Sequence, residues 1–238
     1  VMITTKTGKK NKGLGIEYNG GLQWSTILRL PEFQNEFGMG WNGDHTELEN
    51  GSWGPRFDGS MQLWGNRYEN SQKLKPYSPI KDNIRDFFDA GFRYNNSVSF
   101  NGATDRSEYY VSFSQISDNG MIPTDADSYD KYTFSARGSH KVKALTFSSS
   151  LNYSYQKNKF ATTGQGLTML NSLYQTPRDI SIISLQNQDD IFNSPGYFYT
   201  PYGVMNPYYI LENYLNEYDA ERFYGKFQVD YDFLKYFK

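Results

Sequence analysis

Long stretches of alternating apolar and polar residues constrain the fold of this 238-residue chain more than any other feature of its sequence. In Leu14–Trp24, LGIEYNGGLQW, apolar or glycine residues occupy every second position, and Glu17, Asn19 and Gln23 lie between them. Successive side chains of a β-strand point to opposite faces, so this spacing predicts a strand with one apolar and one polar face. The same alternation recurs in five later segments, which are Phe92–Gly102, Ser107–Ser117, Asp130–Val142, Leu145–Lys157 and Ala220–Phe233.

The lengths of these six predicted strands and of their connections indicate a membrane environment. Each strand spans roughly 11–14 residues, whereas strands of soluble sheets have about 5–6 and membrane-crossing strands about 9–11. Residues 25–91, 118–129 and 158–219 form the longer connections, and residues 103–106 and 143–144 form tight turns. Short turns that alternate with long loops are typical of outer-membrane β-barrels. The sequence therefore predicts an all-β fold that is part of a transmembrane antiparallel β-barrel.

Composition excludes several other classes of protein. The chain has 24 Lys+Arg and 26 Asp+Glu, so its net charge of -2 provides no basic field for nucleic acid. It has no cysteine, which excludes disulfides, thiolate zinc sites and thiol nucleophiles. Two histidines leave little material for a His-dependent active site or metal site. We therefore expect no enzymatic activity and no cofactor.

Aromatic residues, at 18% of the chain, are abundant on the predicted apolar faces. In a barrel these faces contact outer-membrane lipid, and aromatic side chains near strand ends form girdles at the two interfaces. An alternative is that the same side chains form the core of a soluble β-sandwich. The predicted girdle residues are Trp24, Phe92, Tyr109, Tyr132, Tyr155 and Phe233.

Three tryptophans make the first long connection the main candidate for ligand contact. Its segment WNGDHTELENGSWGPRFDGSMQLWG places aromatic rings among polar side chains, a combination typical of carbohydrate-binding surfaces. The alternative is that the tryptophans anchor a 67-residue loop, which needs a small core of its own to be ordered. The candidate binding residues are Trp41, Asp44, Trp53, Arg56, Asp58 and Trp64.

The third long connection contains a predicted helix. In GLTMLNSLYQTPRDI, Leu167, Leu170, Leu173 and Tyr174 recur at helical spacing, and Pro177 predicts that the helix ends before it. The following segment Tyr197–Tyr209 is rich in tyrosine, and its role stays open between ligand contact, partner contact and neither.

Several segments resemble one family of membrane receptors. The start VMITTKTGKK resembles the end of the plug domain of SusC-like TonB-dependent outer-membrane receptors of Bacteroidetes, the SusC/RagA type. The blocks KDNIRDFFDAGFRYNNSVSFNGATDRSEYYVSFSQISDNGMIP and YDKYTFSARGSHKV resemble the early barrel strands of that family. The resemblance covers about two thirds of the chain.

This resemblance implies a 22-stranded barrel closed by an N-terminal plug, of which the present chain is an N-terminal barrel fragment. Residues 1–13 then end the plug domain and its linker, and residues 14–238 form the first strands and outer loops. The implied function is import of oligosaccharides or peptides across the outer membrane. The implied partners are a SusD-like surface lipoprotein, the TonB complex and the rest of the same barrel.

Two alternatives from other classes stay open at the level of sequence. A soluble or surface-attached β-rich glycan-binding module would pair its apolar strand faces across two sheets. A passive porin would conduct without a plug or energy coupling, and the plug-like start argues against it. The chain opens with an apolar β-type run at its first residue, which suggests a start inside an element, so we expect a processed or partial polypeptide.

Overall fold

A computed structural model describes residues 15–233, and the expected plug-domain end at residues 1–13 lies outside them. The strands in chain order are β1 (Gly15–Ser25), β2 (Met61–Tyr68), β3 (Ser71–Pro76), β4 (Gly91–Ala103), β5 (Ser107–Asp118), β6 (Tyr129–Val142), β7 (Leu145–Ala161) and β8 (Leu215–Tyr231). The helices are α1 (Met169–Tyr174) and α2 (Pro207–Asn213). Six of these strands correspond to the six predicted from the alternation, and β2 and β3 lie within the first long connection.

The six long strands form one antiparallel sheet in the order β1-β4-β5-β6-β7-β8, and β2 and β3 form a separate hairpin. This confirms the predicted all-β, antiparallel architecture. Strands β1 and β8 are the two edges of the large sheet and do not pair with each other, so the sheet formed by residues 15–233 is open. No helix within that range is long and apolar enough to cross a membrane.

The pairing register keeps apolar side chains on one face across the entire sheet. One row, formed by residues that are paired from strand to strand, consists of Tyr18, Val98, Phe113, Phe134, Tyr153 and Phe223. The neighbouring row on the opposite face consists of Glu17, Ser99, Ser112, Ser135, Asn152 and Tyr224. Because side chains alternate along every strand, a shift of one residue would mix the two faces.

The apolar face of the sheet is open to its surroundings. Phe223 and Phe227 of β8 are 67% and 71% exposed, and Tyr18 of β1 is 67% exposed. Within residues 15–233 no second sheet covers this face, because the β2–β3 hairpin belongs to a connection. The face-to-face pairing of sheets that a soluble sandwich requires is therefore absent from the described residues.

Four of the predicted girdle residues form two pairs of neighbouring rings. The Trp24 and Phe92 rings lie 5.2 Å apart on β1 and β4, and the Tyr132 and Tyr155 rings stack at 6.5 Å on β6 and β7. Trp24, Phe92 and Tyr132 are near the ends of the strands from which the long connections leave, and Tyr155 is the strand partner of Tyr132. Their contact with a membrane interface stays a prediction.

The long connections pack together into one body, which we call the cap and define as residues 26–90, 119–128 and 162–214. The side chains buried in the hydrophobic core all belong to this cap, and none belongs to the six-stranded sheet. The largest fully buried hydrophobic ones are Tyr77, Phe87, Met39, Met169, Leu173, Ile180, Ile182, Leu185, Ile210 and Leu211. The core of the described chain thus lies in its connections.

Both helices belong to the third connection. Helix α1 confirms the helix predicted before Pro177, and it begins after Thr168, whose Oγ1 accepts a hydrogen bond from Asn171 N at 3.4 Å. Helix α2 lies partly in the tyrosine-rich segment, where no helix was predicted. Asn206 caps it by accepting a hydrogen bond from Tyr208 N at 3.0 Å, and Pro207 occupies the first turn.

The β2–β3 hairpin places lysine inside the cap and aliphatic residues outside it. Leu63 and Leu74, a directly paired couple, are exposed, whereas Trp64 and Lys75 are buried. Lys75 forms an ion pair with Asp179 of the third connection, and Asp179 Oδ1 also accepts a hydrogen bond from Met39 N at 2.9 Å. Burial lowers the pKa of Lys75 to about 7.

Residues on either side of Asp179 continue this polar contact between the first and third connections. Arg178 Nε donates to Gln34 O at 3.1 Å, and one terminal nitrogen donates to Asn35 Oδ1 at 2.9 Å. The buried Asn83 side chain donates to Ile180 O at 2.7 Å and accepts from Ile182 N at 3.0 Å. These bonds satisfy groups that would otherwise be buried without partners.

We expect replacement of Asp179 to open the cap. Asp179→Ala removes the acceptor of both the buried Lys75 amine and the Met39 N–H, so the free energy of cap opening should fall by about 3–5 kcal/mol. Amide hydrogen exchange of cap peptides in the intact protein measures this change.

The matched control is Glu36→Ala, which breaks the exposed Glu36–Arg56 ion pair, with its 2.9 Å contact. Its effect should stay within about 1 kcal/mol, since exposed ion pairs contribute little. Equal effects of the two substitutions would contradict the assignment of Asp179 as a central contact of the cap.

Candidate functional site

A cleft of about 830 Å³ lies in the cap between the first and third connections. Five aromatic side chains line it, which are Phe33, Phe37, Trp41, Trp53 and Tyr174. Its volume is within the range of about 300–1,000 Å³ that ligand sites occupy. We therefore treat this cleft as the candidate binding site.

One wall of the cleft is a narrow ladder of backbone hydrogen bonds. Trp53 N donates to Gly40 O at 3.1 Å, Gly43 N donates to Trp53 O at 2.8 Å, and Trp41 N donates to Asp44 O at 3.0 Å. Gly40 has a φ of +146°, and a Cβ there would collide with the Asp44 carbonyl. The ladder fixes the backbones of Trp41 and Trp53 relative to each other.

The three tryptophans of this connection have different environments. Trp41 and Trp53 line the cleft and are 54% and 70% exposed. Trp64 is 6% exposed, its ring lies 5.8 Å from that of Tyr199, and the ammonium groups of Lys73 and Lys75 lie 5.5 and 6.0 Å from it. Trp64 therefore anchors the connection, whereas the other two present their rings to the cleft.

The three polar residues predicted with the tryptophans lie outside the lining of the cleft. Asp44 closes the turn that begins at Trp41, and Arg56 pairs with Glu36 and lies 5.0 Å from the Phe37 ring centroid. Asp58 accepts hydrogen bonds from the Ser60 hydroxyl at 2.6 Å and the Ser60 N–H at 2.9 Å. These bonds hold the pKa of Asp58 below its ordinary value. Ligand contact by these three residues stays a prediction.

Amide side chains join the two walls of the cleft. Asn50 Nδ2 donates to Gln175 Oε1 at 2.6 Å, and Gln175 Nε2 donates to Asn171 Oδ1 at 2.6 Å. Glu49 Oε1 accepts from Asn50 N at 3.0 Å, and within residues 15–233 no hydrogen bond to Glu49 Oε2 is formed. The cleft thus combines exposed rings with one carboxylate oxygen that has no hydrogen-bond partner among residues 15–233.

Arg178 lines the cleft, and its guanidinium is already hydrogen-bonded. In addition to Gln34 O and Asn35 Oδ1, it donates to Ile80 O at 3.3 Å, and its charge lies 5.3 Å from the Phe33 ring centroid. Burial lowers the pKa of Arg178 below its ordinary value. Arg178 therefore supports the cleft.

Sequence reasoning missed the part of the cleft that comes from the third connection. Tyr174 and Gln175 were predicted only as the end of a helix, because nothing local in the sequence places them opposite the tryptophans. Glu49 and Asn50 lie within the segment that was selected for its tryptophans. Among residues 15–233 no group of three His, Cys, Asp or Glu side chains could hold a metal ion.

The different environments of Trp64 and Trp53 predict different costs for the same substitution. Trp64→Ala removes a buried ring and should destabilise the cap by about 3–5 kcal/mol. Trp53→Ala removes an exposed ring and should change stability by less than about 0.5 kcal/mol. Limited proteolysis of the intact protein measures the open fraction of the cap. A similar increase in cleavage for both variants would contradict the distinction.

No protein-family model matches the chain. The chain is similar to the TonB-dependent receptor SusC of Bacteroides thetaiotaomicron, with 22% identity over 247 residues that cover 98% of this chain. It spans only 22% of the length of that receptor. The similarity indicates a distant relationship to a TonB-dependent receptor.

Proposed function

We propose that the chain forms part of the wall and outer loops of a TonB-dependent outer-membrane importer of large nutrients, either oligosaccharides or peptides. One observation carries this proposal. The six-stranded sheet has a continuous, exposed apolar face on one side and a continuous polar face on the other. A membrane barrel requires this division, because one face contacts lipid and the other faces a hydrated lumen.

The open edges of the sheet support the same proposal. Strand β8 has 17 residues and β1 has 11, and each carries unpaired backbone groups on its outer side within the described chain. Such groups must be paired in lipid, because the hydrocarbon contains no water to satisfy them. In the proposed importer, further strands of the same barrel pair with both edges.

The arrangement of the connections supports an outward-facing cap. All three long connections leave from one end of the sheet and share one core, and the opposite end has the short turns at residues 104–106 and 143–144. Outer-membrane barrels place long loops outside the cell and short turns in the periplasm. The proposed partners are a SusD-like lipoprotein on the cap side and the TonB complex on the periplasmic side, as the family resemblance implies.

Cysteine labelling tests the proposed orientation, because the chain has no cysteine of its own. Leu28→Cys places a thiol in the cap at a position that is 92% exposed, and Arg106→Cys places one in the exposed short turn between β4 and β5. In whole cells a membrane-impermeant maleimide should label position 28 alone. Position 106 should react only after the outer membrane is permeabilised. Equal labelling of both positions in intact cells would refute the orientation.

Neighbouring positions on β8 test lipid contact. Phe227 and Lys226 are both exposed and lie on opposite faces of the sheet. A fluorophore attached at Phe227→Cys should be quenched by a nitroxide in the lipid phase, whereas one at Lys226→Cys should be quenched by aqueous iodide. A soluble glycan-binding module would give no lipid-phase quenching at either position, and it would stay monomeric without detergent.

A further inference from the structure

We infer that the cleft between the first and third connections binds a neutral oligosaccharide, with Trp41 and Trp53 as stacking surfaces and Glu49 as a hydroxyl acceptor. The inference rests on the proposed import function, which leaves oligosaccharide and peptide open, and it decides between them.

The two indole rings are available for stacking. Neither Trp41 nor Trp53 contacts another ring or a cationic side chain within residues 15–233, in contrast to Trp64. The face of an aromatic ring is electron-rich and attracts the weakly positive C–H groups on one face of a pyranose. A sugar ring buries this apolar face on the indole and keeps its hydroxyl groups at the edge.

The free polar atoms of the cleft match hydroxyl groups. The indole N–H groups of Trp41 and Trp53 have no acceptor among the described residues, and Glu49 Oε2 has no donor. A hydroxyl group both donates and accepts, so it can bond to either kind of atom. A ligand that leaves these polar atoms unpaired loses binding free energy, so the cleft favours ligands that can hydrogen-bond to them.

A peptide that binds through its backbone or its termini finds few partners in the same cleft. These two modes add a strand to an open backbone edge or place a terminus in a charged pocket. The backbone groups of the cleft wall are already paired with each other, including Gly40 N with Gly51 O at 3.2 Å and Gly54 N with Gly38 O at 3.1 Å. Arg178, which could otherwise receive a carboxylate, is bonded to carbonyl and amide oxygens.

Charge disfavours acidic glycans. Arg178 is the only cationic side chain among the described residues that line the cleft, and its guanidinium is engaged in the bonds above. Glu49 adds a negative charge beside the two rings. A uronate or sulfate group would meet repulsion without a compensating cation. The ligand class is therefore a neutral saccharide.

Direct binding to the purified intact protein tests the inference. The probes are a panel of neutral linear oligosaccharides of six to eight sugars, built from glucose, mannose, xylose or galactose, together with oligogalacturonate and oligopeptides of similar length. At least one neutral saccharide should bind, and Trp53→Ala should weaken it by about fivefold, since an aromatic contact contributes about 1 kcal/mol. Glu49→Gln should weaken binding while retaining the shape of the side chain.

The chain offers a matched control for each ring. Trp24 is 68% exposed, nearly as exposed as Trp53, and lies outside the cleft; Tyr214 (46%) likewise matches Tyr174 (42%). Trp24→Ala and Tyr214→Ala should leave binding unchanged, whereas Tyr174→Ala should weaken it. Hydrogen exchange of the cap shows that each variant is folded.

Any of three results would overturn the inference. They are binding of oligopeptides alone, tighter binding of oligogalacturonate than of neutral saccharides, and no binding of any neutral saccharide at 5 mM. The labelling and quenching experiments on positions 28, 106, 226 and 227 do not depend on the ligand. Failure of saccharide binding with correct labelling therefore refutes this inference and leaves the import proposal intact.

Discussion

Strand pairing that keeps every apolar row on one face leaves the six-stranded sheet without a core of its own. In a soluble sheet the apolar face packs against a second layer, and most of the hydrophobic stabilisation comes from that contact. In residues 15–233 the row from Tyr18 to Phe223 has no such layer. Within the described residues hydrophobic burial is instead concentrated in the cap, and the apolar face of the sheet stays exposed.

The cap is organised by polar contacts because its connections have little regular structure to satisfy their backbones. The segment from Arg178 to Ile182 packs against the first connection. The carboxylate of Asp179 bonds to the backbone of the first connection, and the amide of Asn83 in the first connection bonds to the backbone of this segment. Buried polar groups are costly when unpaired, so the hydrogen bonds of this segment favour one packing arrangement over its alternatives. The same bonds fix the relative position of the two walls of the cleft, since the walls come from the connections that these bonds hold together.

Sequence reasoning identified the sheet well because its signal is local. Alternation within β4, β5 and β6 defines both the strand and its faces, and the short turns predict the pairing of β4 with β5 and of β6 with β7. It missed residues 215–219 of β8, LNEYD, because these do not alternate. Of the candidate site it selected Trp41 and Trp53, but it could not separate them from Trp64 or find Tyr174 and Gln175. Those distinctions depend on how two distant connections pack, and a single sequence carries no local pattern for that.

The position of the cleft links ligand binding to the order of the cap. One wall contains Trp53 and Asn50, the other contains Tyr174 and Gln175, and the Asn50–Gln175 hydrogen bond joins them at 2.6 Å. A ligand that contacts both walls binds only the packed arrangement, so it stabilises that arrangement in proportion to its concentration above the Kd. A change that loosens the junction around Asp179 lowers the population of the packed arrangement, and the apparent affinity for the ligand falls in proportion to that population. A partner that presses on the cap from outside could thus change ligand affinity without touching the cleft itself.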